Sequence, residues 1–118
     1  MNYVIGDTAI LRDHAVDRDG DFLWVLPFID VADDGTETPT DLTDCAFEFT
    51  VWDPDGITVK VDLTVGAGIT VTDNVVRVAI DNADMADWTR GCLFPCRFRY
   101  TNAGGFKKTL FRGKFSTT

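Results

Sequence analysis

Cys45-Ala-Phe-Glu-Phe-Thr-Val-Trp52, then Asp53-Pro-Asp-Gly56, then Ile57-Thr-Val-Lys-Val-Asp-Leu-Thr-Val65 is the stretch that decides the fold class. Successive side chains of a strand point to opposite faces. Cys45, Phe47, Phe49 and Val51 therefore share one face, and Ala46, Glu48, Thr50 and Trp52 share the other. Proline presets φ at the second position of a turn and glycine accepts positive φ, so Asp53-Pro-Asp-Gly56 reverses the chain. The returning segment places Ile57, Val59, Val61, Leu63 and Val65 opposite Thr58, Lys60, Asp62 and Thr64. Two alternating runs joined by a turn of this chemistry predict a β-hairpin.

Outward from this hairpin the same signals recur at short spacing. Phe22-Leu-Trp-Val-Leu-Pro-Phe-Ile29 reads as a strand with apolar residues on both faces, bent or at an edge because Pro27 cannot donate to a ladder. Val31–Thr40 reads as a polar connection. Gly66-Ala-Gly68 is a break, Ile69–Thr72 a short strand, Asp73-Asn74 a turn and Val75–Ile80 another strand. Asp81–Trp88 is the one segment suited to a short helical crossover, with Asp81 or Asn82 as its cap. Phe94–Thr101 and Phe106–Phe115 form a last hairpin about Asn102-Ala-Gly-Gly105. About seven strands with frequent turns predict an all-β, Ig-like antiparallel β-sandwich, with a small barrel as the alternative. Residues 15–118 form one domain. Residues 1–14 precede the first strong strand and read as an arm or an extra edge strand.

Composition fits a globular domain. The chain has 118 residues, 45% of them apolar, with nine Phe and three Trp. No apolar run approaches the roughly 18 residues of a membrane helix. Asp7 and Asp13 without a basic n-region argue against a secretory leader, so synthesis in the cytosol is expected. In that setting Cys45, Cys92 and Cys96 are expected as free thiols.

Candidate chemistry is sparse. The one histidine, His14, has no neighbouring metal-ligand set, and the cysteine spacing does not match a zinc site. Asp17-Arg-Asp-Gly-Asp21 alternates carboxylates as calcium loops do, but lacks their glycine and distal glutamate spacing. Gly66 and Gly68 lack the helix and lysine of a phosphate loop. No nucleophile, base and orienting group are singled out. The expectation is therefore a non-enzymatic protein with no cofactor and no metal. Trp24 and Trp88 read as core. Trp52 reads as a loop shield or, where exposed, as a partner surface or sugar platform.

Charge is strongly segregated. Residues 1–89 carry all 19 acids and four bases, a net of −15, whereas residues 90–118 carry seven bases and no acid. Alternation gathers Arg97, Arg99, Lys108 and Arg112 on the outer face of the last hairpin. This is either a solvated basic face or one half of a head-to-tail electrostatic match between copies or with a partner. The net charge of −8 argues against free nucleic acid as that partner.

The order of motifs carries a resemblance. Gly20-Asp21-Phe22 opens the first hydrophobic strand. Gly35 and Asp41-Leu42-Thr43 precede the alternating strand, and Gly68-Ile-Thr-Val-Thr-Asp73 precedes a valine strand. Tyr100, Gly105, Thr109-Leu110 and Gly113 mark the last hairpin. Over about residues 18–116 this resembles a small Ig-like β-sandwich of tailed-phage virion proteins. It is similar to the N-terminal domain of siphophage baseplate upper proteins and to short tail- or head-associated proteins. Asp44-Cys45 and the Cys92–Cys96 cluster depart from the family pattern. The resemblance implies a structural assembly or adaptor piece, placed in a tail or baseplate to attach fibres, or on a capsid as decoration or cement. It implies assembly in the host cytoplasm, a virion location, other phage structural proteins and copies of itself as partners, and no membrane. The alternative function is a host-surface glycan- or protein-binding Ig-like module. Candidate partner-binding residues are Tyr3, Ile5 and Ile10 of the N-terminal segment, which suit addition to a neighbour's sheet edge, with Trp52, Arg97, Arg99, Lys108 and Arg112.

Overall fold

A computed structural model describes residues 2–6 and 9–118. The described residues form eleven strands and one 3₁₀ turn: β1 (Ile10–Leu11), β2 (His14–Val16), β3 (Phe22–Pro27), β4 (Ile29–Val31), β5 (Glu37–Pro39), β6 (Ala46–Trp52), β7 (Val59–Val65), β8 (Gly68–Thr72), β9 (Val75–Ile80), the turn at Asn82–Met85, β10 (Phe94–Thr101) and β11 (Lys107–Thr117). Nine strands join in one sheet, ordered β1-β11-β10-β6-β7-β8-β9-β3 with β2 also on β11; β4 and β5 pair separately. The all-β expectation is met, and each of the seven expected strands has its counterpart.

Two features depart from the expected antiparallel arrangement. The sheet is mixed: β1 and β2 run parallel to β11, and β7 runs parallel to β8. The β7–β8 contact arises at Gly66 and Gly68, with φ of +90° and +96°, which let the chain loop back on itself so that Thr64 lies beside Gly68. The expected helical crossover near 81–88 is not an α-helix. Only Asn82–Met85 turn, as a 3₁₀ segment, and Asp81 makes no side-chain cap. The Asn82 amide instead donates to Asp21 Oδ1 at 2.9 Å. That bond ties the segment to the 17–21 turn rather than starting a helix.

The sheet curls so that its far strands meet through aromatic side chains. Phe22, Trp24, Leu26 and Phe28 are buried, whereas Leu23 and Val25 on the other face of β3 are exposed. Trp24 reaches Phe98 of β10 at 5.5 Å and Phe111 of β11 at 4.9 Å between ring centroids, and Phe22 reaches Phe115 at 5.1 Å. Trp88, 1% exposed, packs edge-on against Phe115. The expected hairpin of β6 and β7 pairs Phe49 with Leu63 and Val51 with Val61. Its turn end departs, because Ile57 and Val59 are exposed. The stretch expected as a polar connection holds the β4–β5 hairpin, and every residue from Asp30 to Pro39 is exposed.

The N-terminal segment crosses from one end of the sheet to the other. The Tyr3 amide donates to the Pro27 carbonyl at 2.7 Å, and Ile29 donates back to Tyr3 at 2.8 Å. Ile10–Leu11 and His14–Val16 then lie along β11, broken at Arg12-Asp13. At the break the Asp13 carboxylate accepts the Lys114 amide at 2.9 Å, substituting for a backbone acceptor. Gly113 makes the close approach possible, since a Cβ there would collide with the Arg12 carbonyl and sit 2.9 Å from Asp13 Oδ1. Overpacking against backbone costs on the order of 1–3 kcal/mol or more. Gly113→Ala should therefore lower stability by about that amount in urea unfolding. A change under about 0.5 kcal/mol would mean that the crossing yields without cost.

Candidate functional site

The outer face of β6, β10 and β11 carries the candidate site. Cross-strand register places Arg97 opposite both Thr50 and Arg112, and Arg99 opposite Glu48. Side chains directly opposite one another share a face. Glu48 therefore lies between two arginines, pairing with Arg97 at 3.9 Å and with Arg99 more closely. Thr50 Oγ1 donates to Asp62 Oδ1 at 3.1 Å. The Arg97 guanidinium lies 5.2 Å from the Trp52 ring centroid, within cation–π range. Burial first, and then the neighbouring Arg99, push the Arg97 pKa down, while Glu48 opposes them.

Toward one end, this face deepens into a groove of about 560 Å³ between β1 and the β6–β7 turn. Leu11, Trp52 and Pro95 form apolar walls, and Arg97, Arg112 and Lys114 line it with positive charge that exceeds the one carboxylate present, Asp13, whose Oδ1 is taken by the Lys114 amide. Leu11 is 82% exposed, so its side chain is open to contact. Among the described residues, neither Arg112 nor Lys114 is in an ion pair. The groove can thus take an anionic, partly apolar chain segment. Two unpaired cations supply attraction, and the walls supply buried area.

The candidate residues separate into three groups. Trp52, Arg97, Arg99 and Arg112 share the outer face. Lys108 does not join them. The register slips between Phe98 and Arg99, so Phe98 pairs with Phe111 but Arg99 pairs with Thr109. Leu110 is the extra residue, and it is buried together with its neighbour Phe111. Beyond this bulge the phase reverses, and Lys108 lies opposite Tyr100, on the other face. Tyr3, Ile5 and Ile10 lie apart from the groove. Tyr3 packs edge-on against Phe111 at 5.3 Å, Ile5 packs against the core, and Ile10 is half exposed on β1. Leu11, Pro95 and Lys114 complete the groove. Alternation along β11 already set Lys114 in one row with Arg112, whereas the signal for Leu11 lay only in the pairing of β1 with β11, which no local pattern reveals.

Several other titratable groups serve the fold. His14 is buried among Phe22, Trp24, Phe49 and Phe115. Burial, reinforced by Arg12 and opposed by Asp13, lowers its pKa from 6.5 to about 4. Asp17 and Asp19 organise a tight turn, in which Asp17 Oδ1 accepts the Asp19 amide at 3.0 Å and Asp19 pairs with Arg90 at 3.2 Å. All three cysteines are free thiols. Burial, with Asp13 adding to it, pushes the Cys96 thiol up to about 12, far from a reactive thiolate. Cys45 lies 3.8 Å from the Tyr100 hydroxyl. Four residues along a strand span roughly 14 Å, so Cys45 is out of disulfide reach of Cys96.

No protein-family model matches the chain, and no curated protein matches it. The groove must therefore be read from its own chemistry.

His14 sets a pH dependence. A histidine held neutral in the fold contributes stability that is fully present above its unfolded pKa and is lost as pH falls toward its folded one. Between pH 6.5 and 4 the protein should lose on the order of 3 kcal/mol, at about 1.4 kcal/mol per unit. His14→Phe, which keeps an aromatic ring in the aromatic cluster, should flatten this slope in denaturant titrations at successive pH values. An unchanged slope would assign the acid sensitivity to other groups.

Proposed function

We propose that the protein is a non-enzymatic structural component of a tailed-phage virion, an assembly or adaptor piece whose outer-face groove docks a partner. Its finer architecture is then an Ig-like sandwich. The order β8-β9-β3 facing β6-β10-β11 supports this reading, since it corresponds to the two strand groups of immunoglobulin-type domains. The two-residue β7–β8 contact joins layers that such sandwiches leave separate. The sequence resemblance gives the virion context: a tail, baseplate or capsid site, assembly in the host cytoplasm, and other structural proteins as partners.

The observation that carries the docking reading is the groove itself. Interface cores favour aromatic and arginine side chains, and Trp52 beneath Arg97 beside unpaired Arg112 is such a constellation. It favours an acidic protein segment over a glycan, because Arg97 lies over the Trp52 ring, where a sugar platform needs an open face. The test is composition of gradient-purified particles from the strain that carries the gene. The chain is expected there in fixed stoichiometry, released only by denaturation. Abundant chain in the cytosol with none in the particles would overturn the reading. Clear glycan-array binding abolished by Trp52→Ala would favour the glycan-binding module instead.

A further inference from the structure

We infer that the groove's occupant is the acidic β4–β5 hairpin of a second copy of this chain, so that copies associate head to tail. The inference rests on reading the groove as a docking surface, and it names the partner.

The hairpin has the form of an inserting element. Asp30 to Pro39 are all exposed, although a lone two-stranded hairpin has little stability of its own. Its tip is nevertheless ordered. Ala32 donates to the Thr36 carbonyl at 2.9 Å, and the Thr36 amide donates to Asp34 Oδ1 at 2.8 Å. Asp30, Asp33, Asp34 and Glu37 give it four carboxylates and no base. Among the described residues none of these carboxylates is in an ion pair. Val31, 49% exposed, adds an apolar contact. Among the described residues, the molecule thus carries carboxylates without ion pairs on a projecting hairpin, and a groove whose three cations outnumber its one carboxylate, Asp13.

The two features lie toward opposite ends. Phe28, the residue before β4, stacks on Phe47 near the start of β6. Trp52, at the end of β6, lines the groove. Five residues of strand separate Phe47 from Trp52 by roughly 17 Å, within a molecule 47 Å long and about 25 Å wide. The hairpin and the groove of one chain are thus too far apart to meet within the native fold. A neighbour's hairpin can enter, and the contact leaves one free hairpin and one free groove. Such heterologous contacts propagate into rings or filaments.

Net charge does not forbid this. Copies of charge −8 repel, but their centres lie several Debye lengths apart at 0.1 M salt, where the screening length is about 10 Å. Contact charges a few ångströms apart are screened much less. At 1 M, with a screening length of about 3 Å, the attraction itself is weakened.

The full-length chain should sediment with concentration-dependent association at 0.1 M salt, and its Kd should rise about tenfold or more at 1 M. Two variants separate the surfaces. Asp33→Asn/Asp34→Asn/Glu37→Gln removes the hairpin charge, and Arg112→Glu/Lys114→Glu reverses the groove. These positions are solvent-facing, and circular dichroism melts check that both variants are folded. Each alone should remain monomeric. Mixed in equal amounts, the first supplies an intact groove and the second an intact hairpin, so they should form a 1:1 dimer that grows no further. A wild-type chain that stays monomeric at 0.1 M up to millimolar concentration would overturn the inference. So would a mixture that fails to form the dimer. Because these measurements use the isolated chain, their failure leaves the particle-composition result standing, and absence from particles leaves the association standing.

Discussion

Trp24 is the contact on which the curled sheet depends. It projects from β3, at one end of the strand order, onto Phe98 and Phe111 of β10 and β11, near the other end. His14 and Phe49 enclose it further, and the Arg12 guanidinium lies 5.6 Å from its ring. Its Nε1 is buried without a hydrogen-bond partner among the described residues, which costs on the order of 1–3 kcal/mol. Edge-to-face ring contacts, worth roughly 0.5–1.5 kcal/mol each beyond their buried area, offset that loss. The N-terminal crossing follows from the same contact. It brings Tyr3 to Phe28 and His14 to Trp24, and it requires a residue without a side chain at position 113.

Strand identity was legible where alternation and turn chemistry agreed. Asp53-Pro-Asp-Gly56 and Asn102-Ala-Gly-Gly105 fixed the two long hairpins, and the inward rows Phe47-Phe49-Val51 and Phe94-Cys96-Phe98 are buried as alternation requires. Long-range pairing was not legible. Residues 10–16 are too short and too polar to announce a parallel partner a hundred residues away. The bulge at Leu110 reverses the phase of β11, and only the adjacent apolar pair Leu110-Phe111 hinted at it. His14, in a polar stretch, gave no sign of its aromatic surroundings, because these come from β3, β6 and β11 rather than from its neighbours.

The candidate site was legible as a charge pattern and not as a shape. Alternation placed Arg97, Arg99 and Arg112 on one face correctly. It could not anticipate that Glu48, from the acidic part of the chain, would sit between two of them, while Arg112 and Lys114 are in no ion pair among the described residues. The groove exists because β1 lies on one side and Trp52 on the other, joining positions 11, 52 and 112 in space. The β4–β5 hairpin thus forms an acidic projection near one end of a molecule 47 Å long, and the groove gathers Arg97, Arg112 and Lys114 toward the other. That polarity is what the proposed docking function uses.

The most direct measurement of this polarity is zero-length carbodiimide cross-linking of an equal mixture of unlabelled and ¹⁵N-labelled chain, read by mass spectrometry. Carbodiimide joins only a carboxylate and an amine already in contact. The account predicts cross-links between Lys114 and Asp33, Asp34 or Glu37, with mixed-isotope pairs showing that they join two copies. Cross-links at Lys114 confined to single-isotope pairs, or mixed pairs that avoid the hairpin, would contradict it.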